Sequence, residues 1–317
     1  LEDVNTLPFP ARHLLKPTLY NVGTPQGKKQ FTSIYTIWGC PFRCIFCCTG
    51  AFIGKKMRKR TPESVIEEMK HVIKTEGTRH FLFLDDTLTM DRPHIMEICK
   101  LIIQENLNIT FEGTTRSNLV DEEIIQILKE AGCTRLCFGL EAVDENIRKT
   151  MRKDIPLESY INANKLTYKY EIETINSCMI GLPGESHEAL EKTLDFLNSH
   201  REITLATLTI AVPYPGTELY YMAKRGEHNL KLLTEDYSKY MRYNAAVMQV
   251  GDLSPKDLVE MQNYGLVSIF SVPWRLKPMI ARNKKKSLLL MSDRFIRYVF
   301  ASMSGSKNVT SRIFKRR

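Results

Sequence analysis

The sequence predicts an α/β fold, a parallel sheet with helices packed outside it, and three observations carry that expectation. From Phe31 to about Pro213, apolar runs of strand length alternate with amphipathic runs of helix length. Six such units follow one another, and parallel neighbours demand a helix-length return each time. Helix punctuation falls between them, with Thr61-Pro62 and Asp91 as starts and Gly77 and Gly132 as stops.

Taken in order, strand one is expected over residues 33–38. Its helix begins at Thr61 and turns Val65, Ile66, Met69, Val72 and Ile73 inward. Strand two spans 80–84, and the helix after Asp91 buries Ile95, Ile98, Cys99 and Ile102. Strand three spans 109–113, with Ile124, Ile125 and Leu128 on the next helix. Strand four spans 135–140, followed by helices after Val143 and from Leu157. Strand five spans 172–180 with a helix over 186–198, and strand six spans 203–212. Residues 1–30 hold four of the 14 prolines and read as a linker or wrapping arm. Residues 31–220 make the strand–helix unit, and 221–317 a mostly helical region with a basic tail. In that last region Ser254 and Pro255 start a helix, Pro273 and Pro278 interrupt it, and the apolar residues of 288–300 read as core.

The 317 residues allow one large or two modest domains, and 43% hydrophobic with 26% charged residues suits a soluble globular chain. No charge-free apolar run reaches the ~18 residues of a membrane span. The segment Leu1-Glu2-Asp3 lacks the pattern of a secretory signal. Eight cysteines in so long a chain do not suggest a disulfide scaffold, so a reducing cytosol is expected. Cys99, Cys133, Cys137 and Cys178 lie in apolar runs and read as buried thiols. The net charge of +9 gathers at 55–60, 284–286 and 315–317. The first run, Lys55-Lys-Met-Arg-Lys-Arg60, lies close in sequence to the cysteine cluster and could receive an acidic electron donor. No aromatic–basic alternation points to nucleic acid.

The chain is organised around Cys40-Pro-Phe-Arg-Cys44-Ile-Phe-Cys47-Cys48, which follows strand one. Three thiolates in C-x3-C-x2-C spacing hold three corners of an iron–sulfur cube and leave the fourth iron open for a ligand. Gly39 and Pro41 disfavour helix and let the chain wrap the cluster, and Phe46 shields one of its faces. The rival is a zinc knot on Cys40, Cys44, Cys47 and Cys48, but adjacent cysteines can hardly both aim at one metal. Cys48 reads as a spectator.

Polar groups at the ends of the other strands complete the candidate site. Strand two ends at Asp85-Asp86-Thr87, a pair suited to acid–base work or to capping the next turn. Strand three leads to Thr114-Thr-Arg116, where Arg116 is either a carboxylate clamp or a partner for Asp121. Strand four ends at Glu141, with Lys153 twelve residues on, and strand five ends at Gly181-Leu-Pro-Gly184, which permits close backbone approach.

The stretch Gly39-Cys-Pro-Phe-Arg-Cys-Ile-Phe-Cys resembles the signature of the radical S-adenosylmethionine (SAM) enzymes, in the branch holding cobalamin-dependent methyltransferases and anaerobic oxidative cyclases. Gly139-Leu-Glu141…Lys153, Gly181-Leu-Pro-Gly-Glu185 and Pro213-Tyr-Pro-Gly-Thr217 are similar to later motifs of that branch, in the same order. The resemblance spans residues 7 to about 220 and implies a partial (β/α)6 TIM-like barrel with a mostly helical C-terminal extension. It implies a 4Fe-4S cluster on Cys40, Cys44 and Cys47 that binds SAM at its open iron. An electron then cleaves SAM to methionine and a deoxyadenosyl radical, which takes hydrogen from an unactivated carbon. SAM contacts are implied at Asp85 or Asp86, at Glu141 and Lys153, at Ser177 and at the Gly181 corner, with Phe46, Thr114 and Arg116 beside them. The segment Leu7-Pro-Phe-Pro-Ala-Arg12 is similar to the joint after a cobalamin-binding domain, so cobalamin is expected only with a domain upstream. Methylation or oxidative cyclisation of a small-molecule substrate, lipophilic ones included, and a flavodoxin- or ferredoxin-like reductant complete the expectation. The rival is a cluster-bearing electron carrier or subunit, against which Glu141, Lys153 and Gly181 argue.

Overall fold

In the computed structural model, which describes residues 3–153 and 155–282, six parallel strands lie side by side in chain order. They are β1 (Thr32–Ile34), β2 (His80–Phe83), β3 (Thr110–Thr115), β4 (Cys133–Glu141), β5 (Glu173–Ile180) and β6 (Leu205–Ile210). The strand alternation sets the two faces of the sheet. Leu136, Phe138 and Leu140 of β4 are buried against helices, while Cys137 and Gly139 between them stay partly open to the lumen of a partial barrel.

The returns are α1 (Pro62–Glu76), α2 (Arg92–Gln104), α3 (Glu122–Glu130), α4 (Glu145–Thr150), α5 (Leu157–Lys169) and α6 (His187–Ser199). Their starts are capped as expected: Thr61 accepts from the Ser64 N–H, Asp91 from His94 and Ser186 from Ala189. Gly77 ends α1 at φ 67°. The inward faces expected from periodicity are buried, from Val65 and Met69 to Ile124 and Leu128, with Ile73 half-buried at the end of α1. After β6 come α7 (Glu218–Arg225), α8 (Pro255–Ser271) and α9 (Pro273–Arg282). The expected helix beyond 282 and the basic runs at 284–286 and 315–317 lie outside the described residues.

Strand one differs from its expected span of 33–38. It leaves the sheet after Ile34, and Ile37–Trp38 pairs antiparallel with Arg58–Lys59 instead. The cause is Asp85, whose Oδ1 accepts from the Thr36 N–H at 2.7 Å and the Ile37 N–H at 3.3 Å. Its Oδ2 accepts from the Thr36 hydroxyl. A side chain from the end of β2 thus replaces the ladder and turns the chain toward the cysteines.

The N-terminal arm is tied to the barrel. Arg12 donates to Thr32 Oγ1 (2.9 Å), the Ser33 carbonyl (2.7 Å) and Glu68 (2.6 Å), so the Leu7–Arg12 segment covers the free edge of β1. A hairpin, Asn21–Thr24 with Gly27–Gln30, lies at the opposite end of the sheet from the cysteines. There the Gly23 carbonyl accepts from Arg135, whose guanidinium also bridges Glu112 and Glu173, and Lys29 donates to Thr110. These half-hidden charges satisfy one another and form the floor of the lumen.

At the other end of the chain Arg275 is fully buried. Its guanidinium donates to Asn198 Oδ1 (2.9 Å) and to the carbonyls of Ile203 (3.2 Å), Ile269 (3.0 Å) and Leu197. Replacing it with Met leaves these acceptors dry and unpaired. Urea unfolding of R275M should show a loss of about 3 kcal/mol, and a loss too small to measure would mean that α9 is not held this way.

Burial pushes the Asp85 carboxyl up to about 6, against the pull of the Thr36 and Ile37 donors. A raised folded-state pKa favours folding while the group is protonated, and that advantage fades as pH rises through the raised value. Relative to Asp85→Asn, the parent should therefore lose about 2–3 kcal/mol of unfolding free energy between pH 4 and 7. Parallel pH profiles for the two proteins would show that Asp85 does not titrate in the fold.

Candidate active site

The cysteine loop is built around its one buried residue. Ile45 is 1% exposed, its N–H donates to the Met151 carbonyl (3.1 Å), and its carbonyl accepts from the Leu219 N–H (2.9 Å). The loop is thereby pinned between the segment after α4 and the start of α7. At its entrance Gly39 takes φ 94°, and a Cβ there would stand 2.4 Å from the Lys56 carbonyl oxygen. Only glycine fits that approach. The Cys47 N–H donates to the Cys44 carbonyl (3.1 Å), closing a tight turn that carries Phe46. Cys40 and Cys44 are partly buried and Cys47 is exposed, all as free thiols.

Among the described residues, no three His, Cys, Asp or Glu side chains converge on the place a single ion would fill. The three thiols thus do not form a preset zinc cage, whereas a cube takes each thiolate on a separate iron.

Around this loop the strand ends bring cations and carboxylates together. The Arg116 guanidinium stacks on Phe42 at 3.6 Å from the ring centre, with Nη1 4.0 Å from Cys44 Sγ. Asp121 does not compete for it, because Arg92 takes that carboxylate at 2.6 Å. Arg116 Nε is buried without a partner. Lys153 donates to Glu141 Oε1 at 2.7 Å, both groups being 9% exposed, and its Nζ lies 6.0 Å from the Phe46 ring centre. Burial works against the Lys153 charge, but Glu141 outweighs it and holds the ammonium above its usual range. Burial likewise pushes the Cys44 thiol up, while Lys153 and Arg116 pull it down.

The Glu141 backbone is strained. Its φ is 63°, the Ala142 N–H donates across it to the Leu140 carbonyl (2.9 Å), and the register with β5 slips between Gly139 and Glu141. A three-residue turn with positive φ on a non-glycine residue is rare and costs energy, which suits a side chain being aimed. Gly139 makes room for it. A Cβ at 139 would lie 2.3 Å from Lys153 Nζ and 2.4 Å from Glu141 Oε1. The Gly139 carbonyl meanwhile accepts from the Tyr160 hydroxyl at 2.8 Å.

The two neighbouring aspartates divide. Asp85 spends both oxygens on Thr36 and Ile37. Asp86 accepts from the Thr49 hydroxyl on Oδ1 (2.7 Å), one residue past Cys48, and its Oδ2 is buried with no partner. Thr114 is exposed on the lumen face of β3. Ser177 Oγ lies 3.3 Å from Cys137 Sγ and accepts from the Thr207 hydroxyl at 3.4 Å, further down the lumen. At the Gly181 corner the N–H donates to Glu185 Oε2 (3.1 Å), a carboxyl that burial pushes up to about 7.

The structure therefore gathers Cys44, Phe46, Arg116, Glu141 and Lys153 in one cluster, with Asp86 on the loop's other side. Sequence reasoning gave Gly139 no role beyond its place in a motif and read Cys137 only as a buried thiol. The period-two row Arg135, Cys137, Gly139, Glu141 held the signal, since these four share one face of β4. It also overstated the basic run. Lys59 pairs with Asp91 (2.5 Å), Arg58 donates to the Ile53 carbonyl (2.6 Å) and Arg60 is buried against Glu68, so Lys55 and Lys56 are its exposed cations with no ion pair among the described residues. No described helix is long and apolar enough to cross a membrane.

Comparisons with known proteins identify the family of the fold. The chain matches the model of the radical SAM superfamily over residues 34–197, more than half its length. It is 31% identical over 274 residues to an uncharacterized methyltransferase of Pyrococcus horikoshii, covering 86% of this chain and 58% of that protein. It is 27% identical over 247 residues to an anaerobic magnesium-protoporphyrin IX monomethyl ester cyclase of Cereibacter sphaeroides, covering 75% and 39%. The chain thus spans about half the length of the curated relatives it matches. Among solved structures, the radical SAM methyltransferase TsrM from Kitasatospora setae superposes with a TM-score of 0.60 at 19% identity, over 66% of this chain and 43% of that one. The cobalamin-dependent radical SAM enzyme OxsB superposes at 0.58 and 15% identity, over 86% and 45%. The shared barrel, the matching model and the cysteine loop at the strand ends lead to one conclusion: this chain belongs to the radical SAM superfamily of enzymes.

Proposed function

We propose that this chain forms the barrel of a radical SAM enzyme of the methyltransferase and cyclase type, with a 4Fe-4S cluster on Cys40, Cys44 and Cys47. The observation that carries the reading is the pinned loop. Three thiols stand on a turn fixed at Ile45, beside two cations and a buried unpaired carboxylate oxygen. Cys40, Cys44 and Cys47 would hold the cluster, which would supply the electron for reductive cleavage of SAM and so the hydrogen-abstracting power of the reaction.

The chain's own residues bind and orient. Asp86 offers its unpaired Oδ2 to the SAM ammonium, since a buried acceptor without a donor is costly until one arrives. Asp85 positions the entrance of the loop through Thr36 and does not face the ligand. Arg116, held flat on Phe42, takes the SAM carboxylate in a charge-assisted contact. Glu141 and Lys153 face the amino-acid part or the ribose, with Thr114 and Ser177 further along the lumen wall. The Gly181 corner receives the adenine, and Phe46 keeps water from the cluster. A flavodoxin- or ferredoxin-like protein with an acidic face supplies electrons at Lys55 and Lys56. The substrate is a small molecule that enters at the same end of the barrel, and cobalamin is assigned to none of the described residues.

Replacing Cys40, Cys44 or Cys47 with Ala should abolish the cluster after anaerobic reconstitution, and Cys48→Ala should leave the iron content and visible absorbance near the parent's. Loss of iron in C48A as complete as in C44A would overturn the ligand assignment.

Glu141→Ala and Gly139→Ala should each weaken SAM binding roughly tenfold with iron content unchanged. The first removes a charged contact, and the second forces the Glu141–Lys153 pair apart. Equilibrium dialysis with labelled SAM checks this, and deoxyadenosine formed with dithionite tests turnover. Parent-like SAM affinity in both variants would reduce the pair to a structural ion pair.

A further inference from the structure

We infer that Arg242 anchors an anionic group of the substrate at the open edge of the barrel, with Gln262 of α8 as its positioning residue. The inference rests on the strand ends being the reaction site and goes beyond it to the chemistry of the substrate.

The free edge of β6 is the starting point. An edge strand leaves backbone groups unpaired unless something covers them. Here the Ile210 N–H donates to the Arg242 carbonyl at 2.9 Å. Gln262, 1% exposed, donates to the Leu208 carbonyl (3.0 Å) and the Arg242 carbonyl (2.9 Å) and accepts from the Asn244 N–H (3.0 Å). One buried amide thus spends three hydrogen bonds holding residues 242–244 against the strand. Asn244 takes φ 58° in the process, a conformation most side chains avoid.

Ile210 is the last residue of β6, at the cysteine end of the sheet. From there the chain runs back to the cysteine loop, where Gly216 lies against Ala51 and Leu219 bonds to Ile45. The held segment therefore borders the mouth. Its side chains face outward: Met241 is 54% exposed, Tyr243 is 44% exposed, and Arg242 is exposed between them. Arg242 makes no ion pair among the described residues, whereas Arg225 nearby in sequence pairs with Glu218 and Glu227.

An exposed guanidinium flanked in sequence by an exposed thioether and an exposed phenol suits an amphipathic organic anion. Its carboxylate or phosphate would meet Arg242, and its apolar body would lie across Met241 and Tyr243. The rigid backbone beneath sets how far the reacting carbon stands from the cluster loop.

Two fluorescent probes with the same rings separate charge from apolar contact: 1-anilinonaphthalene-8-sulfonate, an anion, and N-phenyl-1-naphthylamine, which is neutral. They would be titrated into the reconstituted chain. Arg242→Gln should weaken the sulfonate about fivefold and leave the neutral probe unchanged, and Arg242→Lys should retain most of the affinity. Gln262→Met should lower the sulfonate-to-neutral preference in the same sense, which loss of packing alone would not do. Arg201→Gln, at the far end of β6, should behave as the parent. Iron content and SAM binding are measured on every sample. If the parent fails to bind iron or SAM, the reading of the site falls, whereas equal sulfonate affinity in parent and R242Q with iron and SAM intact overturns the role of Arg242.

Discussion

Burial of Ile45 is the constraint on which the rest of the site depends. Cysteines that hold a cluster must sit near solvent and near a ligand, so their own side chains cannot anchor the loop. Ile45 does so from between them, by filling the core and by giving its N–H to Met151 and its carbonyl to Leu219. Those two contacts tie three distant parts of the chain together. Met151 lies two residues before Lys153, and Leu219 opens the helix that follows β6. The loop, the cation beside it and the far edge of the barrel are thus set in one arrangement.

The polar groups at the strand ends show a division between holding and waiting. Asp85, Gln262 and Arg12 satisfy backbone or side-chain partners and fix the geometry of segments that would otherwise be free. Asp86 and Arg116 keep buried polar atoms without partners, and Arg242 is exposed with no ion pair among the described residues. Buried polar atoms without partners are rare because each one costs about 1–3 kcal/mol. Strain is concentrated in the same place, with Glu141 at φ 63° over a slipped register. Strain and unpaired atoms persist where the surrounding structure over-determines them, and the floor of the lumen, with its closed ion-pair network, is the rigid base that permits it.

Much of the fold was legible in the sequence because its signals are local. Apolar runs of strand length marked all six strands to within a few residues, and Thr61, Asp91 and Gly77 marked helix ends through hydrogen bonds that reach only three or four positions. The break in strand one was not legible, since nothing in residues 33–38 announces it. A carboxylate 49 positions away makes it. The hairpin at 21–30 was likewise hidden, because a polar run such as Gly27-Lys-Lys-Gln30 shows no alternation of apolar residues.

For the candidate site, the sequence by itself pointed to the residues proposed to carry chemistry: the three cysteines, the acidic pair after β2, Arg116, Glu141 and Lys153. Residue type and short-range spacing suffice for that, because a loop of eight residues can bring its own cysteines together. Tertiary structure decided how the polar groups share partners. Asp121 went to Arg92 and left Arg116 free, Asp85 turned to Thr36 and left Asp86 open, and Lys59 and Arg60 were taken from the basic run. Each outcome is a competition between groups 8 to 49 positions apart. Its result depends on distance and burial in the folded chain, and no local pattern encodes those.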